Sequence, residues 1–392
     1  MKDLRKGVME ATRLRLKEEL NKALSELNLN PHFEDLVFAI PKKKFKGVGV
    51  RGSMMYVIYE YIKEQADLEE FELGELRKNE YLFGTQIPFL AELIISVQYY
   101  ANQILDGKGG LLEESQLNRS KVEDNLVASH YLKDFIYQYI EKYILPNDPK
   151  RQRLVRDTVR QIFQFTDYGQ WAEKHYSSFD HFINGLEENP FARMEVEGVI
   201  DEAIVQEIWE AIRGCGISED RASFVQFYLR RICLTNCSLF TLCGRLVLNL
   251  LQADFLKRKL AKFTTWYGLV AQMVNDVKDY LPSDKNPGTM TKIPLDAFAD
   301  LRNNNLTLPF FFCYRDHSDG FDFEFFVRRL DQLEKQWEIF DLVKKACKED
   351  VMPLLQILTK PARKELSDNQ YWRSILIDFL SIAYNNRFFR RF

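Results

Sequence analysis

The stretch 268–279, GLVAQMVNDVKD, and the stretch 300–309, DLRNNNLTLP, decide the fold of this protein. The first is an apolar helical pattern that ends in the polar residues Gln272, Asn275, Asp276 and Asp279. Because Asn275 and Asp279 are four residues apart, they share one face of a helix. Oxygen ligands one turn apart suit Mg²⁺, which prefers carboxylates together with phosphate oxygens. The pattern therefore predicts a metal site at the end of a helix.

Composition bounds the class of protein. The 392 residues are 46% hydrophobic and include 30 Phe and 18 Tyr, enough to bury a large core. The net charge of −3 provides no overall basic field for nucleic acid. The six cysteines lack zinc spacing and predict buried free thiols. No secretory h-region or bilayer-length apolar stretch is evident from the sequence, so we expect a soluble, cytoplasmic protein.

Helical periodicity dominates the sequence, and strand alternation is nearly absent. This pattern predicts an all-α bundle. Pro41 and the other prolines and glycines between the apolar runs are expected to end helices. The predicted helices are 4–27, 53–66, 87–106, 129–145, 150–166, 202–213, 220–232, 237–256, 262–280, 308–314, 322–348, 350–359 and 370–385.

The two opening stretches resemble the second aspartate-rich region of the trans-isoprenyl diphosphate synthases (polyprenyl synthetases). That region reads Q-x-x-D-D-x-x-D and, after a loop, D-L-x-x-x-x-L-T-L-P. Asn275 stands where the family has its first aspartate. A motif that begins with Asn also resembles the metal motif of terpene synthases, which share the fold. The resemblance implies an isoprenoid-synthase-type helical bundle with a central cavity. We assign it to residues 41–392, after an N-terminal helical extension, 1–40.

The family's first aspartate motif is half lost. The segment 92–110, ELIISVQYYANQILDGKGG, has Asn102, Gln103 and Asp106 in the places of D-D-x-x-D. Downstream, Arg119 resembles one of two family arginines, and Arg51 resembles the last arginine of G-G-K-R-x-R-P. Three basic family positions read Val48, Gly49 and Asn118. Two shorter matches are Gly169-Gln170 for a central G-Q, and Thr235-Asn236 for Lys-Thr.

The resemblance implies a set of site residues. In the family, two acidic clusters hold Mg²⁺ ions that clamp an allylic diphosphate. The implied metal ligands are Asn102, Asp106, Asn275 and Asp279. The implied catalytic acids are Asp106, Asp276 and Asp279, and the implied diphosphate-binding residues are Arg51, Arg119, Gln272 and Lys292. Ordinary alternatives stay open: a polar helix end for Asn275 and Asp279, and solvated side chains for Arg119 and Lys292.

Three functions follow as hypotheses. The first is an Mg²⁺-dependent enzyme that ionises a prenyl diphosphate, followed by cyclisation or prenyl transfer. The second is a non-catalytic or regulatory subunit of a prenyl diphosphate synthase, and the third is a prenyl-lipid-binding protein. The family implies a homodimer, or a heterodimer with another synthase subunit. The tail 385–392, NNRFFRRF, is compatible with a frayed end or with peripheral contact with a membrane surface.

Overall fold

The computed structural model describes residues 4–46, 50–106, 122–178, 202–214, 222–278 and 307–309, together with positions 181, 312, 345, 349, 354, 375 and 376. Ten α-helices lie in these ranges: α1 Leu4–Leu27, α2 Pro31–Lys46, α3 Val50–Leu68, α4 Ile87–Asp106, α5 Val122–Tyr143, α6 Pro149–Tyr176, α7 Glu202–Arg213, α8 Ala222–Ile232, α9 Ser238–Leu251 and α10 Lys257–Lys278. Two π-helical turns, Leu82–Gln86 and Cys233–Cys237, and two 3₁₀ turns, Glu75–Lys78 and Asp254–Leu256, complete them.

The all-α prediction is confirmed, and no strand occurs among the described residues. The predicted bounds of α1, α4 and α7 agree with the structure. Helix α5 begins seven residues before its predicted start, and α6 runs ten residues past its predicted end. Helix α2 was not predicted at all. The helices predicted beyond residue 309 and the tail 385–392 lie outside the continuously described ranges.

The molecule divides into two compact units. The first comprises Met1–Thr166, Leu239–Thr264 and Leu366–Phe379, and the second comprises Asp167–Ser238, Thr265–Glu365 and Leu380–Phe392. In the first unit α4 packs along α3 and α5. Helix α3 approaches α4 closely at Gly52, where a Cβ atom would lie 2.8 Å from the carbonyl oxygen of Pro88. The Gly52 N–H donates to the buried carboxylate of Glu92 at 2.8 Å, so this approach also satisfies a first-turn donor of α3.

Helix α1 is held to the first unit by a buried carboxylate. Glu19 is 4% exposed and accepts hydrogen bonds from the hydroxyls of Tyr81, at 2.5 Å, and Tyr139, at 2.7 Å. Leu16 and Leu20 are buried beside it. The N-terminal helix therefore shares the core of this unit. The proposed domain division at residue 40 stays a prediction.

The prediction that Pro41 ends a helix is wrong, because α2 continues through it. A proline lacks the N–H that would bond the carbonyl oxygen of Val37 four residues earlier. Tyr100 of α4 supplies that donor: its hydroxyl lies 3.1 Å from the Val37 oxygen and 2.8 Å from the Leu36 oxygen. It also accepts from the Ile40 N–H at 3.5 Å. A tyrosine from another helix thus repairs the gap in α2.

Among the described residues, one helical stretch, 225–251, is long and apolar enough to cross a membrane by length and composition alone. Arg230, Arg231 and Arg245 interrupt its apolar residues, so the prediction of no uninterrupted apolar stretch of bilayer length is not contradicted. Within the fold, 78% of its most apolar part is buried. The cytoplasmic location stays a prediction.

Replacement of the Tyr100 hydroxyl should destabilise the protein because the carbonyl groups of Val37 and Leu36 would lose a buried donor. We expect Tyr100→Phe to lower the free energy of unfolding by about 1–3 kcal/mol. In a Pro41→Ala background the new N–H can bond the Val37 oxygen. There, Tyr100→Phe should lower the free energy of unfolding by about 1 kcal/mol less than it does in the wild type. Urea unfolding of the four proteins measures this coupling. An equal cost of Tyr100→Phe in both backgrounds would contradict the repair.

Buried phenols should make the protein sensitive to alkali. Burial raises the pKa of Tyr100 to about 12, and burial together with the Glu19 carboxylate raises the pKa of Tyr139. A phenol in the unfolded state has a pKa of about 10. The stability that depends on the protonated buried phenols is therefore fully present below pH 10 and is lost as pH rises toward their pKa in the folded state.

Tyr139→Phe removes one such phenol. Above pH 10 its free energy of unfolding should therefore fall less steeply than that of the wild type, by about 1.4 kcal/mol per pH unit. Below pH 9 the two curves should run parallel. The measurement is urea unfolding between pH 8 and 12, and parallel curves over the whole range would refute the assignment.

Candidate functional site

The last turns of α10 carry two neighbouring polar residues that differ in exposure to solvent. Asn275 is exposed, whereas Asp276 is 2% exposed. Consecutive residues of an α-helix point about 100° apart, so only one of them faces the interior. Val274 and Val277 are buried beside Asp276. A carboxylate in such apolar surroundings needs hydrogen-bond donors.

Asp276 has a donor at each carboxylate oxygen. The Tyr228 hydroxyl of α8 donates to Oδ2 at 2.5 Å. The side-chain amide of Gln272, four residues earlier on the same face of α10, donates to Oδ1 at 2.8 Å. Asp276 therefore ties α8 to α10.

Tyr228 extends this contact to the second stretch of the resembled motif. Burial raises the pKa of its phenol well above the usual range, the Asp276 carboxylate raises it further, and Arg231 opposes both. The phenol is thus protonated at neutral pH and can donate to Asp276. The backbone N–H of Leu308 donates to the Tyr228 oxygen. Leu308, in the second stretch of the resembled motif, therefore contacts the same tyrosine that donates to Asp276.

A buried ion pair flanks the tyrosine. The Arg231 guanidinium lies 5.2 Å from the centroid of the Tyr228 ring and pairs with the Glu173 carboxylate of α6. Arg231 is 4% exposed, so its charge is compensated inside the fold. Glu173, Arg231, Tyr228, Asp276 and Gln272 form one continuous series of contacts, which we call the α10 network. It connects α6, α8 and α10.

The π-helical turn Cys233–Cys237 packs against two glycines. A Cβ atom at Gly169 of α6 would lie 2.7 Å from Cγ2 of Thr235, and one at Gly268 of α10 would lie 2.7 Å from Sγ of Cys237. The side-chain amide of Asn236 donates to the Gly268 carbonyl oxygen at 2.6 Å. These contacts leave no room for a side chain at Gly169 or Gly268.

The other predicted site residues fall in three groups. Asn102 is exposed on α4, Asp106 is the last residue of α4, and Arg51 is partly buried at the start of α3. The Nε atom of Arg51 is buried and has no hydrogen-bond partner in the described structure. These three belong to the first unit, whereas Gln272, Asn275 and Asp276 belong to the second. Arg119, Asp279 and Lys292 lie outside the described residues.

The implied Mg²⁺ can be compared with the donors among the described residues. Among these residues no group of three or more His, Cys, Asp or Glu is assembled for a metal. Asn102 and Asn275 are exposed and carry neutral amide oxygens, while Asp276 is committed to the α10 network. Mg²⁺ is commonly bound through one or two carboxylates together with substrate phosphates. The predicted site residues whose side chains are described supply by themselves no free carboxylate for Mg²⁺, and the implied ion stays a prediction.

Comparison with known proteins identifies the fold. No family model and no curated protein sequence matches this one. Solved structures do match. Geranylgeranyl pyrophosphate synthase from Lactobacillus brevis is 14% identical, with a TM-score of 0.60 over 94% of this protein and 95% of the synthase. Polyprenyl synthase from Caulobacter crescentus, complexed with calcium and isoprenyl diphosphate, is 15% identical, with a TM-score of 0.62 over 97% and 98% of the two proteins.

A third similar structure is T. brucei farnesyl diphosphate synthase complexed with a bisphosphonate. It is 11% identical, with a TM-score of 0.63 over 96% of this protein and 99% of the synthase. These matches confirm the all-α, isoprenoid-synthase-type helical fold that the resemblance implies. At such identities they establish the fold alone. The central cavity and the roles of the site residues stay predictions.

Sequence reasoning missed the part played by Tyr228. In the segment that contains Tyr228, the resemblance to the family points only to Thr235 and Asn236. The signal was present in α10, where Asp276 lies between two valines that were bound to be buried. A buried carboxylate requires partners, but the sequence does not say which distant residue supplies them.

The close approach at Gly268 yields a prediction. In Gly268→Ala the new Cβ atom would lie 2.8 Å from the Cα atom of Cys237, and backbone cannot move aside cheaply. We expect the free energy of unfolding to fall by about 1–3 kcal/mol. The matched control is Gly7→Ala in α1, where no atom lies within 4 Å of the new Cβ and about 0.5–1 kcal/mol of stabilisation is expected. Urea unfolding measures both; a neutral Gly268→Ala would refute the contact.

Proposed function

We propose that this protein is an Mg²⁺-dependent enzyme that acts on a prenyl diphosphate. The supporting observation is that Tyr228 contacts both Leu308 and Asp276, so that one described residue from each stretch of the resembled motif meets the same tyrosine. The likeness to prenyl diphosphate synthases over nearly the whole protein supports the same class of reaction.

In this proposal Asp106, Asp279, Asn102 and Asn275 supply the metal-binding oxygens. When bound, Mg²⁺ neutralises the charge that develops on the departing diphosphate. Arg51, Arg119 and Lys292 hold the diphosphate oxygens through charge-assisted hydrogen bonds. The allylic C–O bond breaks, its electron pair leaves with the diphosphate, and an allylic cation remains. With two amides among the four metal-binding residues, metal affinity depends on the phosphate oxygens more than it would with four acids.

Cyclisation, or transfer to an acceptor other than isopentenyl diphosphate, is favoured over prenyl elongation in this proposal. Elongation requires a second pocket for isopentenyl diphosphate. The basic family positions of that pocket read Val48, Gly49 and Asn118 here. With three basic positions lost, the pocket compensates a second diphosphate less well, whereas a reaction on a single substrate does not need that pocket.

The experiment is incubation of the purified protein with C10, C15 and C20 prenyl diphosphates, with and without isopentenyl diphosphate, in millimolar Mg²⁺. We expect pyrophosphate release without isopentenyl diphosphate and its loss on addition of EDTA. Asp106→Asn and Asp279→Asn should each lower the rate by about 100-fold or more, since a metal ligand contributes several kcal/mol to the transition state. Asp254→Asn, at an exposed position, is the matched control and should retain the wild-type rate.

Absence of release with all three substrates would overturn the enzymatic proposal. A non-catalytic subunit is the second candidate, because the α10 network engages one of the three remaining acids. Such a subunit should co-purify from its native host with a synthase that carries intact aspartate motifs. A prenyl-lipid-binding protein should instead retain bound lipid in EDTA.

A further inference from the structure

We propose that Tyr228 clamps Asp276, so that this carboxylate fixes the end of α10 for diphosphate binding and does not itself bind metal. This inference rests on the proposed function for its ligand. It assigns Tyr228 and Gln272 as positioning residues and replaces the catalytic role that the sequence resemblance implied for Asp276.

The first argument is occupancy of the carboxylate. Its two oxygens accept from Tyr228 at 2.5 Å and from Gln272 at 2.8 Å, and the residue is 2% exposed. Direct coordination would require Mg²⁺ to approach an oxygen at about 2.1 Å. At Oδ2 the ion would have to reach an oxygen that is enclosed in the fold and already accepts a short charge-assisted bond from the tyrosine. Retaining both bonds holds the last turns of α10 against α8.

The second argument is direction. Asn275 precedes Asp276, and it points about 100° away on the exposed face. Fixing Asp276 against the interior therefore fixes the rotation of α10 and presents Asn275 outward.

The third argument is the support behind the tyrosine. Tyr228 is 2% exposed, its ring lies beside Arg231, and Arg231 is held by Glu173 of α6. The Leu308 N–H bonds the Tyr228 oxygen on the other side. A residue held by contacts from several elements retains one orientation, which is what a positioning residue requires.

The test uses two readouts on the intact protein. Hydrogen exchange of peptides covering 269–276 reports the clamp itself, and calorimetric titration with Mg²⁺ and inorganic pyrophosphate reports the site. In Tyr228→Phe we expect exchange in 269–276 to rise about 10-fold or more and pyrophosphate affinity to fall about 10-fold, although the carboxylate is still present. Asp276→Asn should cause similar changes. The double variant should differ little from either single variant, because both substitutions act on the same Tyr228–Asp276 hydrogen bond.

The matched control is Tyr139→Phe, which removes a buried tyrosine hydroxyl from a buried carboxylate in the first unit. It should leave exchange in 269–276 and pyrophosphate affinity at wild-type values. The clamp is overturned if exchange is unchanged in Tyr228→Phe. It is also overturned if Tyr228→Phe retains pyrophosphate affinity while Asp276→Asn abolishes it, which is the behaviour of a metal ligand. A wild-type protein that binds no pyrophosphate overturns the proposed function, and exchange then still decides the clamp.

Discussion

A carboxylate buried among apolar residues is the constraint on which the second unit depends. Unsatisfied, the Asp276 charge would cost several kcal/mol, which exceeds what a single helix contact returns. The tyrosine and glutamine that satisfy it come from α8 and from the previous turn of α10. Their contacts set the rotation of α10 and the place of the 307–309 segment together. The outward position of Asn275 therefore depends on how the buried charge of Asp276 is satisfied.

The same principle operates in the first unit with different partners. Glu19 is satisfied by two tyrosine hydroxyls, and the carbonyl groups around Pro41 are satisfied by Tyr100. In each case a phenol on one helix completes a polar group on another. Tyrosine suits this task because its ring adds apolar area to the core while its hydroxyl reaches one partner. The high tyrosine content of the protein thus has a structural use.

Local patterns predicted the helices well because their information is local. The apolar spacing of 4–27, 87–106 and 202–213 predicted helix bounds that agree with the structure. Helix α2 was missed because Pro41 is a helix breaker by local rules, and the tyrosine that rescues it is distant in sequence. The burial of Asp276 follows from its valine neighbours, but Tyr228 as its donor does not. Pairings between distant residues depend on how the helices pack. A single sequence does not predict that packing unless it resembles a family whose fold is known.

The π-helical turn Cys233–Cys237 has a consequence for how the long apolar helix is used. A π turn holds one residue more than an α turn, so everything after it is rotated by about 100° relative to an uninterrupted helix. Residues up to Ser238 belong to the second unit and those from Leu239 to the first. The change of phase therefore coincides with the change of unit, and both halves of the helix are largely buried. Loss of any one residue here would rotate the following residues by about 100° and bring different side chains into the core, so this helix should tolerate substitutions better than deletions.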